Sequence, residues 1–277
     1  MNDLPKLTDV LLERRQSALV VTLNRPHAKN AISAAILESL SQLADWLRER
    51  RDIRALVLRG AGGAFCAGGD IREFGAQIMT PDPVDGEADP VATNNRAFGE
   101  LLLKMDALPQ VLIAVVEGPC FGGANGFVSV ADVVIAEEHA RFSLAETTLG
   151  VPPAQIGPFL VRRTGLSIAR RLALTGAHFG ASEALRCGLI DKIVTGASGI
   201  ESALLEVLNA VGRCEPNANA ETKASLNKSA AIDANLLDDA AQIFANCLRN
   251  KEREGAAAFP AKQAPPWVET FNTKKDI

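Results

Sequence analysis

Two glycine-rich segments, GAGGAFCAGGD at 60–70 and EGPCFGGANG at 117–126, are where this sequence could do chemistry. Each follows an apolar run that reads as a buried strand (ALVLR at 55–59, VLIAVV at 111–116) and each leads towards a helix. At such a turn the first backbone N–H groups of the helix have no internal partner, and the dipole adds positive potential. One N–H from each loop would hold a developing oxyanion. Gly69 and Gly123 are the candidates, because glycine lets backbone approach a ligand closely. Read alone, either loop is better explained as a tight turn, because a lone glycine motif is a weak signal.

Other common chemistries are missing. The sequence contains no G-x-S-x-G, H-E-x-x-H, G-x-x-x-x-G-K-[ST] or G-x-G-x-x-G motif. His27, His139 and His178 lack metal-type spacing, so no metal is expected. Five scattered cysteines form no C-x-x-C pair, which points to a reduced cytoplasmic protein. Cys66 and Cys120, each three residues before a candidate glycine, read as small packing residues. A net charge of −4, two tryptophans and no tyrosine give little reason to expect a nucleic-acid or membrane partner. The N-terminus shows no basic region followed by an apolar stretch, so no secretory signal is expected.

The elements that must position the loops follow the same periodicities. Residues 19–23 read as a strand ending at Asn24-Arg25-Pro26, and a helix runs from an N-cap at Ser33 to about Arg50. The proline- and acid-rich 80–90 reads as a surface loop, followed by a helix at 93–107 and a strand at 132–136. Helices are expected at 158–174, 181–186, 198–213 and 220–253. The fold class is α/β, with a core over 1–197 and a helical region over 198–277.

In order and spacing, LNRPHAKNAI (23–32), AFCAGGDIREF (64–74), VVEGPCFGGANG (115–126), DVVIAEEHARFSLAETTLG (132–150) and ASEALRCGLIDKIV (181–194) resemble the signature segments of the crotonase (enoyl-CoA hydratase/isomerase) superfamily. The resemblance covers roughly 20–267. It implies a spiral of strand–strand–helix repeats, a helical trimerisation region and an acyl-CoA substrate, with no cofactor beyond the coenzyme A of the thioester. Gly69 and Gly123 match the oxyanion donors. Ala28, Ala67, Asp70 and Ile71 match the positions that hold adenine and pantetheine, mostly through backbone, and Lys29 a position able to reach a phosphate. A homo-trimer or hexamer is implied.

Two departures follow. Family hydratases carry two glutamates. One position is Glu146, whose apolar neighbours suit a raised pKa and a proton shuttle. The other is Gly126. The nucleophilic aspartate of a related dehalogenase is Ala154 here. Gln155 and Asn125 match positions near the same pocket. Gln155 could orient a water, and ordinary loop hydrogen bonding is the better reading of Asn125. The segment PAQIGPFLVRR (153–163) resembles the hydratases of branched glutaconyl-CoA thioesters. That favours water addition to a 2-enoyl-CoA. A Δ3–Δ2 isomerase with one glutamate and a non-catalytic acyl-CoA-binding homologue are the alternatives.

Overall fold

A computed structural model describes residues 4–70, 72–73, 90–228, 263, 266 and 269–270. Its frame is a six-stranded sheet in the order β1-β2-β3-β4-β6-β9: β1 Val10–Arg15, β2 Ala18–Leu23, β3 Ala55–Gly60, β4 Val111–Val116, β6 Val133–Glu137 and β9 Lys192–Val194. Only β1 runs antiparallel to its neighbour; the other pairings are parallel. A smaller sheet holds β5 Pro119–Phe121, β7 Arg141–Ser143 and β8 His178–Gly180. Bridges join Cys66 to Cys120 and Ile32 to Gly69 beside it. From β4 through β5, and from β6 through β7, the chain passes from the large sheet to the small one before it turns into a helix, the expected repeat.

Period-two alternation decides which core each strand residue enters. Leu19, Val21, Leu56, Leu58, Leu112 and Ala114 enter the main core. Their neighbours Val20, Val57, Ile113 and Val115 face a second core, closed by Ile200, Leu204 and Leu208 of helix α7 (Gly196–Gly212). Helix α1 (Ala34–Leu47) begins at Ser33, whose Oγ accepts the Ile36 N–H at 3.3 Å, and buries Ile36, Leu40, Leu43, Ala44 and Leu47. Helix α2 (Pro90–Asp106) starts three residues earlier than the periodicity predicts, and α3 (Ala124–Val130) follows the second glycine loop.

The helix expected over 158–174 is two: α4 (Gly157–Thr164) and α5 (Leu166–Leu174), broken at Gly165 with φ +82°. The Gly165 N–H closes α4 on the Val161 carbonyl, so the apolar periodicity runs on while the backbone turns. Helices α6 (Ala181–Arg186) and α8 (Pro216–Lys228) complete the α-helices among the described residues, and short 3-10 turns lie at Pro26–Ala28 and Glu146–Leu149. The expected loop over 80–90 and the rest of helix 220–253 fall outside the described residues, apart from Pro90 in α2 and 220–228 in α8. Among the described residues no helix is long and apolar enough to cross a membrane.

Candidate active site

The two glycine loops meet because the small sheet pairs their leading residues. The Cys66 N–H donates to the Pro119 carbonyl, and the Phe121 N–H to the Cys66 carbonyl, both at 3.0 Å. Cys66 and Cys120 are fully buried; burial pushes the Cys66 thiol up to about 12 and the Cys120 thiol upward as well. Both are thus packed, protonated thiols, as the sequence suggests. Beyond them the backbone turns sharply. Gly68 has φ +91°, and a Cβ there would meet the Phe121 carbonyl oxygen at 2.7 Å and the Gly123 nitrogen at 3.6 Å. A side chain on Gly68 would force the loops apart.

The turns leave the two expected donors open. Among the described residues, no protein acceptor takes the N–H of Gly69 or of Gly123. Each is fixed through the carbonyl of its own peptide: the Ile32 N–H donates to Gly68 O at 2.7 Å, and the Asn125 N–H to Gly122 O at 2.9 Å. Glu146 stands beside them at the start of a short 3-10 turn, Glu146–Leu149, directly after β7. Its Oε1 lies 3.4 Å from where a Cβ on Gly122 would sit, and its Oε2 is buried with no partner among the described residues. Burial raises its pKa, opposed by the hydrogen bond from its own backbone. A half-buried carboxyl of this kind exchanges protons near neutral pH more readily than an ordinary glutamate.

The position of the absent second glutamate is occupied by apolar side chains. A Cβ on Gly126 would meet Ile156 Cγ2 at 2.8 Å and Leu102 Cδ1 at 2.9 Å. Both residues are buried in the core. Helix α2 supplies the Leu102 side of this wall and the N-cap of α4 the Ile156 side, with Phe98 a turn before Leu102: its ring lies 3.5 Å from where a Cβ on Gly123 would sit and meets Phe127 edge-on at 5.6 Å. Phe98 carries no motif signal, since an aromatic at helical spacing reads as core.

Gln155 lies in the turn before α4, packed against α2, and among the described residues no hydrogen bond links it to Glu146. Its Nε2 donates to Asn95 Oδ1 at 2.9 Å, and its Oε1 fills the notch over Gly99, 2.0 Å from where a Cβ would sit. The twin arginines after it hold α4 in place. Arg162 grips the carboxylate of Asp106 with both terminal nitrogens, and Arg163 binds Leu189 O, Ala131 O and Asp191. Asn125 is fully buried, and its amide serves loop carbonyls, as expected.

The expected coenzyme A positions also converge. The Ala67 N–H donates to Lys29 O at 2.9 Å, which sets Ala28 and Lys29 beside the first glycine loop. Lys29 is exposed. Asp70 is committed within the protein: its N–H binds Ile32 O, and its carboxylate pairs with Arg25 at 2.9 Å, which holds its pKa down. Ile71 lies outside the described residues. Motif reading passed over Asn30, whose buried amide accepts the Arg25 N–H and donates to Ala61 O and Ala64 O, locking 25–31 onto the first loop.

Comparison with known proteins gives the same picture. The sequence profile described as enoyl-CoA hydratase/isomerase matches residues 13–270. The chain is 34% identical over 263 residues to enoyl-CoA hydratase EchA19 of Mycobacterium tuberculosis, covering 93% of this chain and 95% of that one. It is 31% identical to the 2,3-dehydroadipyl-CoA hydratase of Escherichia coli, over 94% and 98% of the two chains. Among solved structures, AtuE of Pseudomonas aeruginosa superposes with a TM-score of 0.90 at 46% identity, over 95% and 100% of the chains. An enoyl-CoA hydratase/isomerase from Marinobacter aquaeolei gives 0.90 at 41%, over 94% and 99%. The chain belongs to the enoyl-CoA hydratase/isomerase family and is an enzyme of the enoyl-CoA hydratase type.

Proposed function

We propose that this enzyme adds water to a branched or glutaconyl-type 2-enoyl-CoA, with Glu146 as the single catalytic carboxylate. The observation that carries the reading is the half-buried Glu146 carboxyl, its Oε2 without a partner among the described residues, set against the N–H groups of Gly69 and Gly123, which no acceptor takes among those residues. The N–H pair holds the thioester oxygen as it gains charge. The water oxygen bonds C3, and the C2–C3 π pair moves towards the thioester carbonyl. Glu146 takes one water proton and returns it to C2 as the enolate collapses, so one carboxylate closes the proton balance. The Gln155 oxygen accepts a hydrogen bond from the water and holds it over C3. A second carboxylate on the substrate would add basicity there. The polar end of α2 (Asn95 and Arg96 beside Gln155) suits such a group. The Escherichia coli relative carries the name of a thioester whose acyl chain ends in a carboxylate. Ala28, Lys29, Ala67, Asp70 and Ile71 hold the coenzyme A portion in this reading, and the enzyme is a cytoplasmic homo-trimer or hexamer with contacts from 220–267. Sedimentation as a stable monomer at micromolar concentration would remove the oligomer from the reading.

A second reading has its own observation. With Leu102 and Ile156 closing the space at Gly126, one glutamate moving one proton between C4 and C2 would make a Δ3–Δ2 isomerase. Incubation with 2-enoyl-, 3-enoyl- and methylglutaconyl-CoA esters separates the two by mass spectrometry. Hydration raises the product mass by that of one water, and isomerisation leaves it unchanged. Turnover of the 3-enoyl ester alone, without mass gain, would replace the first reading by the second.

A further inference from the structure

The Gly123 N–H is only as good a donor as the peptide that carries it is rigid. A trans peptide is planar, so whatever grips the Gly122 carbonyl aims the Gly123 N–H the opposite way. That carbonyl is gripped twice by one residue. Asn125 donates its backbone N–H at 2.9 Å and its side-chain Nδ2 at 3.0 Å. The second hydrogen of Nδ2 goes to Ser143 O at 2.8 Å, the last residue of β7 and three before Glu146. Ser143 O also takes the Gly122 N–H at 2.9 Å. Asn125 is fully buried, and two carbonyl oxygens can face only the amino end of an amide, which fixes its orientation. The Gly69 peptide has a backbone counterpart, the Ile32 N–H on Gly68 O.

We propose that Asn125 is a positioning residue of the reaction: its side-chain amide fixes and polarises the Gly122–Gly123 peptide as an oxyanion donor and ties that donor to the strand that delivers Glu146. The proposal rests on the reading of Gly69 and Gly123 as donors. Polarisation follows because each hydrogen bond accepted by a carbonyl strengthens donation from the N–H of the same peptide. Placement matters more, since a misplacement of about 1 Å near the reacting atoms costs on the order of 10²-fold in rate.

The test compares two replacements of equal shape. Asn125→Val removes the donor. Asn125→Thr keeps a hydroxyl able to donate to the carbonyl three residues back, which is Gly122 O. Both are assayed by steady-state kinetics and by isotope-edited infrared spectroscopy of bound butyryl-CoA labelled at the thioester carbon, a saturated probe that is not turned over. The wild type should lower the carbonyl stretching frequency relative to free thioester. Asn125→Val should lose most of that shift and lower kcat about 10- to 100-fold with KM little changed. Asn125→Thr should recover most of both. If wild type shows no shift, the oxyanion reading falls and the proposal with it. A full wild-type shift in Asn125→Val overturns the role of Asn125 and leaves the oxyanion reading standing. Equal impairment of the valine and threonine variants also overturns it, because packing rather than donation would be the cause. Should Asn125→Val not fold, Asn125→Ala against Asn125→Ser makes the same contrast.

Discussion

Restoring the second glutamate, Gly126→Glu, should damage the fold before it improves the chemistry. The new Cβ would stand 2.8 Å from Ile156 Cγ2, and 2.9 and 3.2 Å from the two methyls of Leu102. Carbon atoms in contact prefer about 3.5–4.0 Å, so the wall must retreat by roughly 1 Å. Leu102 and Ile156 are 0% and 3% exposed and cannot swing into solvent. Overpacking of this kind costs about 1–3 kcal/mol. A buried carboxyl without a partner adds about 1–3 kcal/mol. Removing a glycine from a helix interior returns only about 1 kcal/mol. Steric and desolvation costs therefore win, with a net loss of about 1–5 kcal/mol. At about 2–4 °C per kcal/mol for a chain of this size, the thermal midpoint should fall by roughly 2–20 °C. Leu102→Ala alone should also destabilise, by about 2–5 kcal/mol, through the cavity it leaves. In the double variant the carboxyl would occupy that cavity, and the summed loss should be smaller than the two single losses by more than about 1 kcal/mol. Thermal denaturation at one fixed protein concentration measures all four corners of the cycle. Wild-type stability in Gly126→Glu would refute the idea that Leu102 and Ile156 have closed the second carboxylate's place.

Glu146→Gln should lower turnover by about 10²–10⁴-fold while ligand binding persists; near-normal rates would remove Glu146 from the mechanism. The same variant should raise thermal stability at neutral pH. Burial raises the Glu146 pKa from 4.5, so the native state binds the proton more tightly than the unfolded chain. Stability then falls as pH rises from 4.5 through the folded pKa, and the advantage of Gln over Glu should vanish on acidification below that window. Gln155→Ala should slow hydration more than exchange of the α-proton, and Gly99→Ala should imitate it, because its Cβ would fall 2.0 Å from Gln155 Oε1 and expel the amide. Equal loss of both activities in either variant would count against a water-holding role. Asn30→Leu should cost about 2–4 kcal/mol through the backbone groups it leaves unpaired. It should also weaken acyl-CoA binding in calorimetry, as loop 25–31 comes loose from Ala61 and Ala64.

Elements whose signals are local were legible in the residues alone. The apolar runs at 19–23, 55–59 and 111–116 became the buried strands β2, β3 and β4, and Ser33 capped α1 because a cap and a helical stripe both act within a few residues. Order and spacing of the glycine loops together with the segments at 23–32, 132–150 and 181–194 were enough to name the family. Strands β1, β5, β7, β8 and β9 were not legible. Four of them are three-residue segments, too short for any period, and β1 carries three charged residues at a sheet edge.

The surroundings of the site come from packing between distant segments. That Cys66 pairs with Cys120, that Gly68 lies against Gly123 and that Oε1 of Glu146 faces Gly122 are contacts between segments tens of residues apart, set by strand register. Gly126 in the sequence says only that a carboxylate is missing. Whether its place is open to water or filled depends on which side chains of α2 and of the segment before α4 pack there, and Leu102 and Ile156 fill it. The same holds for Gln155, whose amide is aimed by Asn95 and by the notch over Gly99, two features of a helix that begins more than 60 residues earlier. Local propensity acts along the chain, whereas close packing acts through space, so the motif could name the reacting groups and only the fold could say what surrounds them.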